Sequence, residues 1–438
     1  MIIDHGEYMI ELINDENLRT PGAILVGTNE EQLRELKGLV HAAGMETLAL
    51  VTQMMEHPNP ATYIGSGKVA ELRELCINMG ADFVIVEESL SPTQLKNLQH
   101  EVEAEVIDRT SLILKIFSDR AKTREARLQV ESANLQYILP RLVGMRTSLG
   151  RQGGASGSLS NKGSGEKQLE LDRRHIEKRI SILRRELEAI EHDREIQRSK
   201  RMKSELPLVS LVGYTNAGKS TLMNTMLARY SNTDGENLEN KSVEAKDMLF
   251  ATLDTTIRRM SFEDKKDFLL SDTVGFIDNL PTGLVKAFRS TLEEAKYADL
   301  LLEVVDVSDE HCLEQMDVTT RTIQEIGADN VPCIYVMNKA DRIMPESDLP
   351  KIVGDRIYMS AKTGTGLVNL VEMVKTMVYG AGCHVKLKFG YEAGGDLERF
   401  SQCAANVVRD YREDGVYVEA DCSKIVAGRY AKYEIEKM

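Results

Sequence analysis

The sequence predicts an α/β protein in four segments. They are a small parallel α/β domain at 1–120, a long antiparallel helical hairpin at 121–205, a larger α/β domain at 206–380 and a small α+β domain at 381–438. Three patterns carry this reading. Strands alternate with amphipathic helices over 23–110. Apolar residues then recur every seven positions between 128 and 190. From Leu206 a near-continuous apolar run, LPLVSLVGYT, opens a second alternation of strands and helices.

In the first segment AILVGT reads as a strand and EEQLRELKGLVHAAG as a helix closed by Gly44. TLALVTQ is the next strand, and KVAELRELCINMG a helix that again ends on glycine. FVIVEES is a strand, SPTQLKNLQHEV a helix opened by Ser91-Pro92, and EVIDRT the last strand. Leu128, Leu135 and Leu142, with Ile138 between, then mark one helical arm. Leu169, Ile176, Leu183 and Ile190, with Ile180 and Leu187, mark the other. The arms are joined by GRQGGASGSLSNKGSGE, whose glycines and serines predict an irregular, flexible tip. Between 141 and 165 stand Arg141, Arg146, Arg151 and Lys162 with no acid, which suits a plain linker or a basic probe for RNA. The two heptad faces satisfy each other within one chain, so a monomer is expected.

The composition narrows the class. The chain has 438 residues with 42% hydrophobic and 28% charged, values of a globular protein with real cores. No apolar run approaches the roughly 20 residues that span a bilayer, and the acidic start MIIDHGEYMIELINDE is no signal peptide, so a cytoplasmic location is expected. The six cysteines form no C-x-x-C pair and read as reduced, packed thiols. A net charge of −14 argues against DNA binding by the protein as a whole. Residues 141–205 nevertheless hold 16 Lys/Arg against 10 Asp/Glu, a local +6, so contact with a polyanion should involve the hairpin.

The chemistry lies in the third segment. GYTNAGKS matches G-x-x-x-x-G-K-[ST] between a buried strand and the helix STLMNTMLARY. Its residues Gly213, Tyr214, Thr215, Asn216, Ala217, Gly218, Lys219 and Ser220 are assigned to a nucleotide. The backbone N–H groups and helix N-terminus would face phosphate, Lys219 would reach the β- and γ-phosphates, and Ser220 would offer a hydroxyl to Mg²⁺. DTVG follows a strand. There Asp272 would hold Mg²⁺ through water and Gly275 would meet the γ-phosphate, with Thr273 and Val274 lining the site. NKAD (Asn338, Lys339, Ala340, Asp341) also follows a strand, and the Asp341 carboxylate can accept both N–H donors of a guanine edge, which adenine lacks. The backbone of Ser360, Ala361 and Lys362 can contact the guanine oxygen. Four motifs in order, each at a strand end, resemble the guanine-nucleotide domain of translation-factor-related P-loop GTPases.

Between the first two motifs lies LFATLDTT. Phe250, Ala251, Thr252, Leu253 and Asp254 form the expected switch, in which Thr252, Thr255 and Thr256 are candidate ligands of Mg²⁺ and γ-phosphate; Thr252 is preferred because FATLD resembles the F-x-T-L switch of ribosome-linked GTPases, and Thr256 is second. Lys219, Thr252, Asp272 and Gly275 are the catalytic candidates, and Ser220 and Thr252 the metal candidates. Phe276 stands where Ras-like enzymes carry a water-orienting Gln, so slow intrinsic hydrolysis is expected, with water ordered by backbone or by a partner. Asn216 matches the Asn of potassium-stimulated GTPases, and either K⁺ binding or loop stabilisation would account for it.

The strings YIGSGKVAEL, LSPTQLKNL, AKTREARLQVESANLQYILPRL, GSGEKQLELDRRHI, LFATLD and DTVGFIDNLP together resemble the HflX family of ribosome-associated GTPases over about 20–380. The last 58 residues, with YREDGVYVEA, resemble its small C-terminal domain. The tip departs from the family's G-G-x-G-x-R-G-P-G-E pattern: ASGSLSNK is interposed, Lys162 replaces the Arg and Ser164 the Pro. The resemblance implies GTP-dependent binding to the large ribosomal subunit and its rRNA, with the hairpin directed at the peptidyl-transferase region. It further implies splitting of stalled or idle ribosomes, and release on ribosome-stimulated hydrolysis to GDP. A GTP-gated assembly or anti-association factor is the alternative. The family's N-terminal domain is said to interact with nucleotide, ATP included. Here Gly65–Lys68, GSGK, reads as a turn before a helix and only weakly as a phosphate loop.

Overall fold

The computed structural model describes residues 19–151, 159–203, 206–230, 256–263, 266–277, 294–379, 383–422, 426–427 and 430–435. Backbone alone is described at 31–32, 143–151, 159–169, 195, 197–203 and 402. These residues form two compact units, and the division falls inside one long helix, between Glu188 and Ala189. Among the described residues no helix is long and apolar enough to cross a membrane.

The first unit is built as the alternation predicts. Strands β1 (Gly22–Gly27), β2 (Glu46–Thr52), β3 (Phe83–Val86) and β4 (Glu105–Asp108) pair in parallel in the order β2-β1-β3-β4. Between them run α1 (Glu30–Ala42), α2 (Ser66–Met79) and α3 (Pro92–Glu101). Strands β1 and β3 are buried along their whole length, which is why they read as unbroken apolar runs. Helix α3 opens on a reciprocal capping box: Ser91 Oγ accepts the Gln94 N–H at 3.2 Å, and Gln94 Oε1 accepts the Ser91 N–H at 3.0 Å.

One boundary differs from expectation. EVIDRT is not all strand: β4 stops at Asp108, and α4 (Arg109–Arg120) begins at once. Asp108 caps it, its Oδ1 accepting the Ser111 N–H at 2.9 Å. The same buried carboxylate accepts from the Leu90 N–H, from the Tyr137 hydroxyl at 2.6 Å and from Arg141 Nη2 at 2.9 Å. Tyr137 and Arg141 belong to α5 (Arg124–Arg151), so one side chain ties the sheet to the first arm of the hairpin. Arg141 also stacks on the Tyr137 ring, 3.4 Å from its centroid. It is therefore an anchor rather than a member of the basic tip, a correction to its grouping with Arg146, Arg151 and Lys162, whose side chains lie outside the described residues. Beside it Arg109 is buried between Glu87 and Glu35.

The second arm is α6 (Leu159–Lys203). Arg124 pairs with Glu186 at 3.0 Å and Arg179 with Glu131 at 2.6 Å, seven residues forward on one helix and seven back on the other. That is an antiparallel register. Leu183 is fully buried, and Ile176, Ile180 and Leu187 are shielded while most of their neighbours face water. The predicted irregular tip is shorter than expected, because helix covers Gly150, Arg151 and 159–166. Once a helix is nucleated, each added residue gains a hydrogen bond. That gain can carry it through glycines costing about 1 kcal/mol each. Arg173 and Arg174 bond to Glu170 and Glu177 on their own helix.

In the second unit, β5 (Leu208–Val212), β6 (Thr256–Met260), β7 (Phe268–Asp272), β8 (Leu300–Asp306), β9 (Cys333–Asn338), β10 (Lys351–Val353) and β11 (Arg356–Tyr358) form one sheet in the order β10-β11-β9-β8-β5-β7-β6. All pairs are parallel except β10/β11 and β6/β7. Helices α7 (Lys219–Tyr230) and α9 (Leu367–Tyr379) share a core with β5, β7, β8 and β9, while α8 (Cys312–Glu325) lies between β8 and β9 in sequence. Strand β10 was not expected. Its signal is the two-residue Gly354-Asp355 turn between IV and RIY.

The last sheet corrects two expectations. Strands β12 (Cys383–Phe389) and β14 (Gly415–Cys422) are where CHVKLKF and GVYVEADC predict them. DLERFSQCAANVVRDYRE reads in sequence as one helix, but the helix ends at Cys403 as α10 (Gly394–Cys403), and ANVVRDYR is strand β13 (Ala405–Arg412). Val407, Val408 and Tyr411 favour the pleat, and β13 pairs with β14 as an edge strand. YAKYEI, which reads in sequence as a strand, is a single 3₁₀ turn, Ala431–Tyr433, followed by one bridge from Glu434 to Leu387. All six cysteines are free thiols.

Asp108→Ala removes the carboxylate partner of Arg141 and the acceptor of three other donors, and should destabilise the first unit by about 3–5 kcal/mol. Hydrogen exchange would show lost protection in 105–142 with 206–230 unchanged. Equal protection throughout would remove Asp108 as the joint.

Candidate functional site

The described residues of the predicted site lie at the carboxyl ends of β5, β7, β9 and β11, where open parallel sheets hold ligands. Gly213–Ser220 turns from β5 into α7. The backbone of Gly218 has φ +101°, and a Cβ there would lie 2.2 Å from Asn338 Nδ2, so only glycine fits. Lys219 is buried, and its Nζ donates to the carbonyls of Gly213 and Tyr214 at 2.8 and 2.7 Å. Burial pushes its ammonium down to about 8, while the Asp272 charge opposes the shift.

Asp272 ends β7 and is fully buried. Its Oδ2 accepts the Ser220 hydroxyl at 2.9 Å, which brings two hard oxygen donors together beside Lys219. Thr273 turns inward, and its hydroxyl donates to the Leu211 carbonyl at 2.6 Å. The segment after Asp272 is sewn to the loop: Thr215 N–H donates to the Phe276 carbonyl at 2.8 Å, and Phe276 N–H to the Gly213 carbonyl at 3.1 Å. The Phe276 ring is buried. The position where a Gln would orient water is thus a core strut, and its structural part was not legible in the motif. Val274 is buried, and Gly275 lies against Thr215 and Lys219.

The base end is joined by one carboxamide. Asn338 Nδ2 donates to the Ala217 carbonyl at 2.8 Å, and its Oδ1 accepts the Ala361 N–H at 2.8 Å. Ala340 is buried and its N–H bonds the Met359 carbonyl, while Asp341 is exposed in the turn beyond it. Lys339, at φ +58°, crosses the site: its Nζ donates to the Asn216 carbonyl at 2.8 Å and pairs with Asp306 Oδ2 at 2.7 Å. Asp306 was missed by motif reading, although like Asp272 it closes a buried strand. Ser360 and Ala361 are buried and Lys362 is exposed. Because Asn338 holds the Ala361 N–H, a guanine oxygen would share that donor or use the Lys362 N–H. Thr225, also missed, donates to the Ala361 carbonyl at 2.8 Å.

Phe250, Ala251, Thr252, Leu253, Asp254 and Thr255 lie outside the described residues. Thr256 begins β6, with its hydroxyl buried. The GSGK segment is a helix start: Gly65 N–H donates to Gln53 Oε1 at 2.9 Å, and Lys68 bonds both carboxylate oxygens of Glu71.

Two outcomes follow for this geometry. Asn338→Ala orphans the Ala217 carbonyl and the Ala361 N–H, which should cost about 2–5 kcal/mol and weaken nucleotide binding; denaturant unfolding and nucleotide titration would read both. Phosphate at the loop restores the charge of Lys219. Binding at pH 8 should therefore take up about half a proton, falling to about a tenth at pH 7. Calorimetry in buffers of different ionisation heat measures this, and no uptake at pH 8 would contradict it.

Three family models match consecutive stretches of the chain. They are described as GTP-binding GTPase N-terminal over 30–118, GTP-binding GTPase Middle Region over 120–201, and 50S ribosome-binding GTPase over 208–339. The GTPase HflX of Caldanaerobacter subterraneus is 40% identical over 433 residues, covering 98% of this chain and 96% of that protein. The GTPase HflX of Escherichia coli is 41% identical over 391 residues, 88% of each. A GTP-binding protein from Sulfolobus solfataricus, solved with GDP, is 25% identical, with 82% of this chain and 98% of that one covered and a TM-score of 0.44. With the phosphate loop, DTVG, NKAD and SAK gathered at one sheet edge and this identity along nearly its whole length, the chain belongs to the HflX family of GTPases.

Proposed function

We propose that the chain is a GTP hydrolase that binds the large ribosomal subunit and splits stalled or idle ribosomes, leaving when GTP becomes GDP. The observation that carries the hydrolase reading is that Asn338 joins the NKAD, P-loop and SAK segments while two Phe276 backbone bonds hold DTVG against the loop of the buried Lys219. The ribosomal reading rests on the family and on the third model's description. The +6 hairpin of an otherwise acidic chain suits rRNA.

In this reading Lys219 leaves the loop carbonyls for the β- and γ-phosphates, and the α7 N-terminus adds its partial positive charge. Ser220 and Asp272 would hold Mg²⁺, directly and through water, with Thr252 as the further ligand that the resemblance implies. Their paired hard oxygens fit that ion. Mg²⁺, when bound, neutralises phosphate charge. The Gly275 N–H meets the γ-phosphate, and Asp341 reads the guanine edge. Phe276 is held in the core, so the attacking water is ordered by backbone or by the ribosome, and intrinsic turnover is slow. Asn216 is exposed at φ +60°, and its side chain is the proposed ligand for K⁺. The protein acts in the cytoplasm as a monomer, its heptad faces paired within the chain.

GTP turnover, with and without purified large subunits, should rise at least tenfold with them, alongside GTP-dependent co-sedimentation. Intact ribosomes should convert to subunits. Binding to free large subunits without conversion would favour a GTP-gated assembly or anti-association factor. Unstimulated turnover with no co-sedimentation would remove the ribosomal reading. Replacing K⁺ by Na⁺ should slow turnover, and an unchanged rate would discard the K⁺ site.

A further inference from the structure

We propose that the Thr215 hydroxyl hydrogen-bonds the γ-phosphate and so discriminates GTP from GDP, a role that rests on reading the site as a guanine-nucleotide site. The P-loop motif leaves this position open to any residue. Its backbone is pinned by the bond from Thr215 N–H to the Phe276 carbonyl at 2.8 Å. Its side chain is 6% exposed, and Oγ1 is buried with no hydrogen-bond partner among the described residues. Two neighbouring hydroxyls of the site are satisfied, Ser220 on Asp272 and Thr273 on the Leu211 carbonyl.

The surroundings identify the missing partner. A Cβ on Gly275 would lie 2.8 Å from Thr215 Cγ2 and 3.0 Å from Lys219 Nζ. Gly275 therefore packs against the methyl and backbone of Thr215 and beside the loop lysine, so the three residues meet at one point of the site. Lysine and a backbone N–H are donors, and a hydroxyl can add a third. Three donors gathered at one point suit a terminal phosphate, which only accepts. Packing alone would be met as well by valine, which needs no partner. An orphan hydroxyl is tolerated where a ligand completes it. GDP has no atom to offer there, so the bond operates only on the triphosphate.

The test compares affinities for GDP and for guanosine 5′-(β,γ-imido)triphosphate in the full-length protein and in Thr215→Val and Thr215→Ser. A hydrogen bond to a charged group corresponds to a loss of about tenfold or more. Thr215→Val should lose about that much affinity for the triphosphate analogue and keep its GDP affinity within about twofold. Thr215→Ser should restore the parent's ratio. Retained GDP binding certifies the fold; should the valine variant not fold, Thr215→Ala, which adds no atom, is judged by the same ratio. An unchanged ratio in the valine variant overturns the proposal, as does equal loss of both nucleotides or a serine variant as impaired as valine. A parent that binds neither nucleotide would instead overturn the guanine-nucleotide reading itself.

Discussion

One buried carboxamide holds the nucleotide-binding edge of the second unit together. Asn338 ends β9 and reaches back to the Ala217 carbonyl in the P-loop and forward to the Ala361 N–H beyond β11. Each partner sits on a different strand-end loop, and neither loop has a ladder of its own there. Gly218 is glycine because Asn338 Nδ2 comes within 2.2 Å of any Cβ placed on it. Lys339 can cross to the Asn216 carbonyl because the residue before it is fixed. A carboxamide suits this joint, since it both donates and accepts in one plane. A carboxylate at the same place would lose the donor and bury a charge.

The phosphate end rests on a different balance. Removal from water favours the neutral form of Lys219, while the buried Asp272 and the two carbonyls that accept from its Nζ support its charge. In the proposed reaction this cation exchanges its carbonyl partners for phosphate oxygens. The Phe276 strut keeps the DTVG segment against the loop with two backbone bonds, so the two segments are held together before any ligand arrives. The polar chemistry thus depends on an apolar ring at the position where a water-orienting side chain would otherwise stand.

The first unit uses the opposite economy. Its sheet interior is apolar, but its connection to the hairpin is polar. Asp108 receives donors from the loop after β3, from α4 and from two residues of α5. Such a joint is directional, so it sets the angle at which α5 leaves the sheet more tightly than apolar contact could. Farther along, the hairpin is held by heptad contacts and by the Arg124–Glu186 and Arg179–Glu131 pairs. Exposed pairs of this kind add little stability, about 0–1 kcal/mol each, and chiefly specify register.

Periodicity and strand-end motifs were enough to read the fold class, the parallel sheet of the first unit, the largely parallel sheet of the second, the antiparallel hairpin and the strand ends on which the four motifs sit. Those features are local: an apolar run, a heptad or a glycine pattern carries its meaning in a few consecutive residues. What failed was equally physical. ANVVRDYR follows a genuine helix and has no breaker before it, so only pairing with β14 makes it a strand. The strand EVIDRT ends early because Asp108 meets partners from 90, 137 and 141, and no window shows that. Arg141 looks like a member of a basic run until it is found on a buried carboxylate. Asp306, Thr225 and the Phe276 strut contribute through bonds spanning 33, 136 and 61 residues, respectively. The sequence alone determined which chemical groups are available and on which strand ends they sit. Only the tertiary structure decided which of them are buried, paired or left with an unmet hydrogen bond, because desolvation and partnership arise from residues distant in the chain.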